Sequence, residues 1–362
     1  MKVKDITYFG EKSNIKAGDA IENGKYRFFT SSVDESKSIN ECQFNKPGII
    51  MGTGGNATLH YCEENYSVST DCVVLHTNPD INCKCLYYFF KANMHILEAG
   101  FKGAGLKHTN KKYIQNINIK NIYDKEKQKQ IVSILDTVSG IIEKRKKQLE
   151  DLDELVKARF VEMFGVLENP IHEFKKSPLK DLCNKITDGK HGGCAIEEGT
   201  GRYFVGAREI FDNIVHYETA PEISIKDFEK DHKRCNIEIG DFLIVNTGAT
   251  IGKSAIAIDK KTECTLLQKS VALLKVKKEI LNPVFLQWCY KVNKKMYMVD
   301  SASAQPNVLL SKIKSTEIYV PNIELQNKFA DFVKQTEEIK EKVQKSLDET
   351  QVLFDSLMQK YF

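Results

Sequence analysis

Two long segments of this chain repeat each other without a gap, and this repeat constrains the fold more than any other feature. EKQKQIVSILDTVSGIIEKRKKQLEDLDELVKARFVEMF, residues 126–164, aligns with ELQNKFADFVKQTEEIKEKVQKSLDETQVLFDSLMQKYF, residues 324–362, at a constant offset of 198. Neither segment contains proline, and both are rich in the helix-forming residues Leu, Lys, Glu and Gln. Each is therefore predicted to be one long helix, roughly 55 Å in length at 1.5 Å per residue.

Apolar residues in both segments recur at alternating steps of four and three, which is the spacing of a coiled-coil seam. The predicted seam of the first helix comprises Ile131, Leu135, Val138, Ile142, Arg145, Leu149, Leu152, Val156, Arg159 and Met163. The predicted seam of the second comprises Phe329, Val333, Thr336, Lys340, Val343, Leu347, Thr350, Phe354, Leu357 and Tyr361. We expect the two helices to pack on each other, antiparallel because a whole domain separates them in the chain.

The segments before the two helices also repeat, more loosely. VKDI at residues 3–6 matches LKDL at residues 179–182, and PGIIMGTGGNA at residues 47–57 matches GDFLIVNTGATIG at residues 240–252. Short alternating apolar runs, together with scattered helical segments, predict mixed α and β structure in each copy. A chain of 362 residues is long enough for two such domains.

The repeat predicts a specific order of domains and helices along the chain. The expected fold class is α+β, with two mixed α/β domains in pseudo-symmetric tandem, each followed by a long helix, and with the helices paired as an antiparallel coiled coil. The predicted boundaries are 1–122 for the first domain, 123–165 for the first helix, 166–322 for the second domain and 323–362 for the second helix.

Composition indicates a soluble globular protein, with 41% hydrophobic and 28% charged residues. No run approaches the roughly 18 apolar residues of a membrane span, so we expect a cytoplasmic location and no membrane partner. The ten cysteines show no C-x2-C spacing, and we expect them to be reduced and structural.

The net charge of +4 is unevenly distributed along the chain. Residues 125–163 carry nine basic and eight acidic residues, and residues 324–362 carry six basic and eight acidic residues. The two helices therefore sum to −1 and the globular domains to +5.

VNTGATIGKS, residues 245–254, is similar to the phosphate-binding loop of nucleotide hydrolases. That loop has four residues between its glycines, whereas only three separate Gly248 and Gly252. Its lysine also opens a helix, but the residues after Lys253 predict two more strands. No nucleotide site is expected here.

Other enzymatic interpretations each lack a required neighbour. FKGAG at residues 101–105 has the form of a methyl-donor loop, but the residues before it predict a helix where a buried strand is required. An amino-methyltransferase also needs [DN]-P-P-[YF], and this motif is absent. His191 shows no acidic or thiol partner at a recognisable spacing, so we expect it to make a polar contact and not to act as a base. The chain is predicted to be non-catalytic, with no metal and no cofactor of its own.

Taken together, these features resemble the specificity subunit of type I restriction-modification systems. The resemblance rests on the duplication, on a glutamine at the start of each long helix (Gln128 and Gln326), and on four stretches of the second half. These are KITDGKHGG (185–193), GRYFVGAREI (201–210), GDFLIVNTGATIGK (240–253) and SAQPNVLLSKIKSTEIYVPNI (303–323). The first half is more diverged and has GAGLKHTN (103–110) in place of SAQPN.

The resemblance implies that each globular domain is a target recognition domain for one half of a bipartite, asymmetric site in double-stranded DNA. It also implies two methyltransferase subunits, which would use S-adenosylmethionine to methylate adenine, and two restriction subunits, which would use ATP and Mg²⁺. The paired helices would set the distance between the half-sites. The alternatives are a self-contained DNA methyltransferase, the specificity module of a methylation-only phage-defence system, and a coiled-coil scaffold.

Base recognition is expected from polar side chains in the repeated loops, because Arg and Lys suit guanine whereas Asn and Gln suit adenine. The candidates in the second domain are Lys190, His191, Arg202, Arg208, Thr247, Thr250, Lys253, Gln305 and Asn307. The candidates in the first domain are Thr53, Asn56, Lys102, Lys107, His108 and Asn110.

Overall fold

The computed structural model describes residues 1–103, 105, 107–119, 123–293 and 307–362. The chain forms two compact units: unit 1 comprises residues 1–147 and 343–362, and unit 2 comprises residues 148–342. The division cuts both long helices, so each unit holds one globular domain together with part of each helix. The domain boundaries drawn from the sequence stay a prediction.

Unit 1 contains two small sheets and a set of short helices before the first long helix. Its elements are α1 (Val3–Ile6), β1 (Thr7–Phe9), β2 (Tyr26–Phe29), β3 (Ser38–Ile39), β4 (Gly48–Gly52), β5 (Leu59–Cys62), β6 (Tyr66–Val68), β7 (Cys72–Thr77), α2 (Cys83–Ala92), α3 (Met94–Glu98), α4 (Lys111–Gln115) and the first long helix α5 (Lys125–Phe164). One sheet is antiparallel with the order β1-β7-β4-β5. The other has the order β3-β2-β6, and its β2 and β6 run parallel.

Unit 2 has more elements. They are β8 (Gly165–Val166), β9 (Asn169–Pro170), β10 (Lys176–Pro178), α6 (Leu179–Leu182), β11 (Cys183–Asp188), β12 (Tyr203–Val205), β13 (Ile210–Phe211), β14 (Ile214–Val215), α7 (Ile225–Cys235), β15 (Phe242–Val245), β16 (Ser254–Ile256), β17 (Thr265–Leu267), β18 (Val271–Val276), α8 (Pro283–Val292), α9 (Leu310–Ser315), β19 (Glu317–Tyr319) and the second long helix α10 (Ile323–Tyr361). Its larger sheet is antiparallel with the order β11-β18-β15-β16, and β12 pairs in parallel with β17.

The two domains share one topology. The order β1-β7-β4-β5 of unit 1 corresponds strand for strand to β11-β18-β15-β16 of unit 2, and the parallel pair β2–β6 corresponds to β12–β17. The tandem repeat expected from the sequence is therefore confirmed. Unit 2 differs by an insertion, the hairpin β13–β14 and the helix α7, between β12 and β15.

Equivalent side chains start the equivalent helices. The side-chain oxygen Oδ1 of Asn82 accepts from the backbone N–H groups of Lys84 and Cys85 at the start of α2. Oδ1 of Asn282 accepts from the backbone N–H of Val284 at the start of α8. A capping side chain of this kind satisfies backbone donors that have no partner within the helix. Both residues therefore fix where their helix begins.

The two long helices pack together, antiparallel, in both units. In unit 1, the hydroxyl of Tyr123, which precedes α5, donates to the carbonyl of Tyr361 at the end of α10 (3.0 Å). In unit 2, the Lys340 ammonium lies 2.8 Å from the Asp153 carboxylate. The start of α5 thus lies beside the end of α10 and the end of α5 beside its start, as the sequence predicts.

The predicted seam is buried or half-buried at every position except Arg159, near the end of α5. Ile131, Leu135 and Val138 are buried as expected, whereas Arg159 is exposed and Phe160 is fully buried. In α10, Met358 is buried in addition to the predicted Phe354 and Tyr361. A straight helix drifts by about 20° per heptad from a strict seven-residue repeat, so the buried face moves by one position over several turns.

Each domain is clipped to its long helix by one buried glutamine. Gln128 accepts from the Asn82 backbone N–H (2.7 Å) and donates to the carbonyls of Asp80 (3.3 Å) and Tyr123 (2.8 Å). Gln326 accepts from the Asn282 N–H (2.8 Å) and donates in the same way to the carbonyls of Ile280 (3.0 Å) and Pro321 (2.8 Å). We call these two residues the glutamine clips.

Both domains bury apolar residues on each face of their larger sheet. In unit 1 the core between this sheet and α2 includes Ile49, Leu75 and Phe90, whereas Phe29 and Tyr66 pack on the other face. In unit 2 the corresponding core includes Phe242, Phe285 and Leu274. A second core, on the other face of the sheet, includes Val205, Leu243 and Leu273. Sheets covered on both faces tolerate the continuous apolar run of β15.

The region after Lys253 contains three strands, β16, β17 and β18, where two were expected, because a turn at 268–270 separates β17 from β18. Lys253 leads into a strand, which agrees with the absence of a phosphate-binding helix at this position. Within the described parts of the chain, no helix combines the length and the apolar character that membrane crossing requires.

Candidate functional site

A cleft of about 430 Å³ in unit 2 brings together three of the predicted recognition residues, Lys190, Thr247 and Asn307. These residues come from separate parts of the chain: the turn after β11, the loop after β15 and the segment before α9. The remaining lining residues are Gly192, Gln268, Lys269 and Ser270. The last three form the turn between β17 and β18 and are not among the predicted recognition residues.

Two ion pairs tie the turn after β11 to the inserted helix α7. The Lys190 ammonium lies 2.5 Å from the Asp231 carboxylate, and its side chain retains only 15% of its exposure. Asp188, at the end of β11, pairs with Arg234 at 2.5 Å. The positive charge of Lys190 is thus paired within the domain, and this ion pair ties the turn to α7.

His191 makes the polar contact expected of it, and the partner is an acidic residue of the same turn, which the motif alone did not indicate. Its Nε2 lies 3.2 Å from Asp188 Oδ2, three residues earlier in the chain, and 54% of its side chain is exposed. Burial acts to raise the pKa of Asp188, but hydrogen bonds from Arg234 and His191 outweigh it and hold this pKa below its ordinary value. Because the ionised carboxylate only accepts, His191 Nε2 carries a proton and its Nδ1 is left for an external group.

The loop after β15 holds Thr247, Thr250 and Lys253. The Thr247 hydroxyl donates to Asn307 Oδ1 (3.1 Å), which fixes the Asn307 amide with its Nδ2 donor unused by any residue that the structure describes. The Thr250 carbonyl accepts from the Lys253 backbone N–H (3.1 Å), whereas the Lys253 side chain is exposed. This loop turns at Gly248, whose φ of +101° is accessible to glycine and strained for other residues.

The other predicted residues of unit 2 lie apart from the cleft lining. The Arg202 guanidinium stacks on the Phe228 ring (5.1 Å) and contacts Cys264 Sγ (3.3 Å), so it supports the insertion. Arg208 is exposed in the turn after β12. Gln305 lies outside the described residues.

In unit 1 the equivalent loops also meet. Thr53 donates to the Asp71 carbonyl through both its backbone N–H (2.8 Å) and its hydroxyl (3.0 Å). Gly54 forms a β-bridge with His108, which also bridges Lys102. The predicted residues Lys102, Lys107 and His108 are exposed along this contact, and Asn56 is exposed at the tip of the facing loop.

Asn110 has a structural role in unit 1. Its side-chain oxygen accepts from the backbone N–H of Tyr113 (2.9 Å) and so caps the start of α4. Thr53 is likewise held by its own contacts. Five of the six residues predicted for this domain are exposed; Asn110 is engaged in its cap, whereas Asn56, Lys102, Lys107 and His108 are available to a ligand.

A shared backbone frame underlies both sites. Thr53 and Asn246 occupy equivalent positions, because their N–H groups donate to the equivalent carbonyls of Asp71 (2.8 Å) and Ser270 (3.0 Å). Two residues later, Gly55 and Gly248 both have positive φ, +83° and +101°. The turn missed at 268–270 thus has a counterpart at 69–71, and its only sequence signal was three polar residues between two apolar runs. Within the described parts of the chain, no group of three or more His, Cys, Asp or Glu side chains is placed to hold a metal ion.

The chain thus contains two mixed α/β domains of the same topology, each joined to a long helix. Both domains present polar loops on the same backbone frame, which defines a duplicated recognition protein. The chain matches the family described as type I restriction modification DNA specificity domain over residues 1–151 and 171–349, and it belongs to this family.

Relatives and solved structures agree with this assignment. The chain is 24% identical over 330 residues to the type I restriction enzyme MjaVIII specificity subunit of Methanocaldococcus jannaschii, covering 83% of this chain and 75% of that protein. Its fold is similar to the crystal structure of a type I restriction-modification S subunit from M. genitalium, with a TM-score of 0.67, 17% identity and coverage of 100% and 95% of the two chains. A structure from work on complex assembly and conformational transition of a type I system gives a TM-score of 0.60 at 13% identity, with coverage of 100% and 96%.

Proposed function

We propose that this type I specificity subunit recognises a bipartite, asymmetric DNA site, with one half-site bound by each globular domain. The observation that carries the proposal is the repeated frame: equivalent loops, held by equivalent backbone hydrogen bonds, present different side chains in the two domains. Two copies of one scaffold with different surface residues suit two different half-sites. A palindromic site would require like side chains in both.

The proposed role is recognition without catalysis. Methylation of adenine in each half-site would be carried out by two methyltransferase subunits with S-adenosylmethionine, and cleavage by two restriction subunits with ATP and Mg²⁺. In this proposal the chain itself holds no cofactor and works in the cytoplasm. Family membership supports the assignment to such an assembly.

The long helices are proposed to set the spacing of the half-sites. Half-sites one turn of B-DNA apart are about 34 to 36 Å from centre to centre. A helix of 40 residues extends about 60 Å at 1.5 Å per residue, which is sufficient for this separation. Inserting one heptad, seven residues, into each helix keeps the seam in phase and adds about 10 Å.

Domain exchange tests the proposal. Residues 1–122 are replaced by the corresponding domain of another specificity subunit with a known target, and the methylated sequences are mapped in cells that also contain the methyltransferase subunits. We expect one half of the motif to change and the other half and the spacer to persist. Changes in both halves would contradict independent recognition, and methylation by the purified chain alone would overturn the non-catalytic role.

The heptad insertion is the complementary test, made in both helices of the full chain. We expect both half-sites to persist while the spacer grows by about three base pairs, at 3.4 Å per base pair. An unchanged spacer would show that the helices do not determine it.

A further inference from the structure

One turn in each domain combines a rigid backbone with exposed side chains of opposite chemistry. In unit 1 it comprises Ser69, Thr70 and Asp71, between β6 and β7, and in unit 2 it comprises Gln268, Lys269 and Ser270, between β17 and β18. We refer to both as the platform turn. Neither turn supplied a residue to the predicted recognition set.

Four backbone hydrogen bonds hold the platform turn in unit 1. Ser69 N donates to Phe29 O, Thr70 N to Ile15 O and Cys72 N to Ser69 O, at 2.8, 2.8 and 3.1 Å. Thr53 N donates to Asp71 O at 2.8 Å. The bonding partners outside the turn, Phe29, Ile15 and Thr53, belong to strands or to segments packed against strands.

The same four bonds recur in unit 2. Gln268 N donates to Val205 O, Lys269 N to Lys190 O and Val271 N to Gln268 O, at 2.8, 2.9 and 3.0 Å. Asn246 N donates to Ser270 O at 3.0 Å, and its amide, in the orientation that satisfies its hydrogen bonds, adds bonds to the carbonyls of Ser270 and Lys269. A turn held this firmly in both domains presents its side chains in a reproducible position.

The side chains on this common frame differ. Thr70 and Asp71 are both exposed in unit 1, and Lys269 is exposed in unit 2. Among the described residues, neither the Asp71 carboxylate nor the Lys269 ammonium has a hydrogen-bond or ion-pair partner. Unit 1 therefore offers an anionic acceptor and unit 2 a cationic donor at adjacent positions of one turn.

The surroundings of Lys269 add donors. It lines the same cleft as Asn307, whose Oδ1 is engaged by Thr247 and whose Nδ2 has no partner in the described part of the chain. Ser270 Oγ accepts from the Ala207 backbone N–H (3.2 Å), which leaves its own hydroxyl proton to donate. Two or three donors converging on one cleft match the two acceptors, O6 and N7, that guanine presents in the major groove.

A contact to the DNA backbone explains the pair of turns poorly. A phosphate-binding turn would need a cation or a neutral donor in both domains, but Asp71 would repel a phosphate. An ionised carboxylate instead accepts from the amino group of cytosine, as Asp and Glu do in direct recognition.

We propose, on the basis of the function proposed above, that the platform turn determines base identity in both half-sites, with Lys269 recognising a guanine and Asp71 recognising the amino group of a cytosine. The second domain thus selects an acceptor-rich base edge and the first a donor edge. Thr70 lies beside Asp71 and Ser270 lies beside Lys269, and in this proposal they adjust how each base fits against the turn.

Methylation mapping with single variants tests this inference in the full chain with its methyltransferase subunits. Lys269→Ala should relax one position of the second half-site from guanine, and Asp71→Ala should relax one position of the first from cytosine. Loss of a good base contact corresponds to a fall of about 5- to 150-fold in discrimination at that position. All other positions should keep their preference.

The chain offers matched controls of the same charge on the opposite ends of the same strands. Lys260 precedes β17 and Glu64 precedes β6, and both are exposed. Lys260→Ala and Glu64→Ala should leave the motif unchanged. Circular dichroism melts of all four variants verify that each remains folded.

The outcomes separate this inference from the proposed function. If the wild-type chain directs a bipartite motif but Lys269→Ala weakens binding equally at all sequences and lowers the salt dependence, Lys269 contacts phosphate and the inference is overturned. An unchanged motif in both Ala variants overturns it as well. If the wild-type chain directs no bipartite methylation, the proposed function itself fails.

Discussion

The glutamine clip at the start of α10 provides the sharpest test of how a domain is attached to its helix. Gln326 is fully buried and makes three hydrogen bonds of 2.8 to 3.0 Å, all to backbone groups. Replacing it with leucine keeps a similar volume but removes every one of these bonds. The Asn282 N–H and the carbonyls of Ile280 and Pro321 then lose their side-chain partner.

The expected cost follows from these three groups. A buried polar group left without a partner costs about 1 to 3 kcal/mol, and the added apolar surface of leucine returns about 1 to 2 kcal/mol. Since two of the groups are only partly buried and can gain water, we expect Gln326→Leu to destabilise unit 2 by about 2 to 4 kcal/mol. Gln128→Leu should have a similar effect on unit 1.

Urea unfolding followed by circular dichroism gives the total change, and hydrogen exchange of the Asn282 amide shows whether the loss is local. Hydrogen exchange is needed because a chain with two compact units does not have to unfold in a single step. Gln335, exposed on the same helix, provides the control, and Gln335→Leu should change stability by less than about 0.5 kcal/mol. If Gln326→Leu matches this control, the clip does not hold the domain.

Three further predictions concern individual side chains of the two domains. Because the pKa of Asp188 is held below its ordinary value, its stabilising effect is present above about pH 4 and disappears as the pH falls. Asp188→Asn should therefore be less stable than wild type by about 1 to 2 kcal/mol at pH 7, and a difference in the free energy of unfolding in urea that does not narrow from pH 7 to pH 3 would refute the assignment. Gly248→Ala should cost about 1 to 2 kcal/mol because of its positive φ, whereas Gly193→Ala, where a Cβ meets open space, should cost less in the same thermal melts. Alkylation at pH 8 followed by mass spectrometry should modify exposed Cys42 first and Cys83 only after unfolding, since burial raises the pKa of Cys83 to about 12; early modification of Cys83 would contradict its burial.

The architecture was predictable because it depends on long, regular patterns. A gapless repeat of helical segments specifies two equivalent helices, and helix length together with chain order leads directly to antiparallel pairing. The end of the seam was less predictable. Arg159 fits a seven-residue repeat, but Phe160 is buried instead because it also packs against Phe285 of the neighbouring helix. The steps of four from Val156 to Phe160 and Phe164, which depart from the seven-residue repeat, are the mark of that contact in the sequence.

The candidate site was predictable only in part, for two physical reasons. Loop motifs identified Lys190, Thr247 and Asn307, which do meet in one cleft, but they could not show that Asp231 neutralises Lys190 from a helix 41 residues away. The platform turn was missed because Lys269 stands between two apolar runs, and nothing in its neighbours indicates that the turn is braced by strands distant in the sequence. The Asp188–His191 contact, by contrast, spans three residues and was available to a closer inspection of the sequence.

The glutamine clips have a consequence for how such proteins change over generations. Gln128 and Gln326 bond only to main-chain N–H and C=O groups of the domains they hold. An attachment of this kind depends on the backbone path of the domain and is indifferent to its side chains. Genetic recombination at the helix boundary can therefore exchange the surface residues of a domain while the clip keeps its hydrogen bonds, provided that the apolar side chains packed on the helix, such as Phe285 on Phe160, are retained.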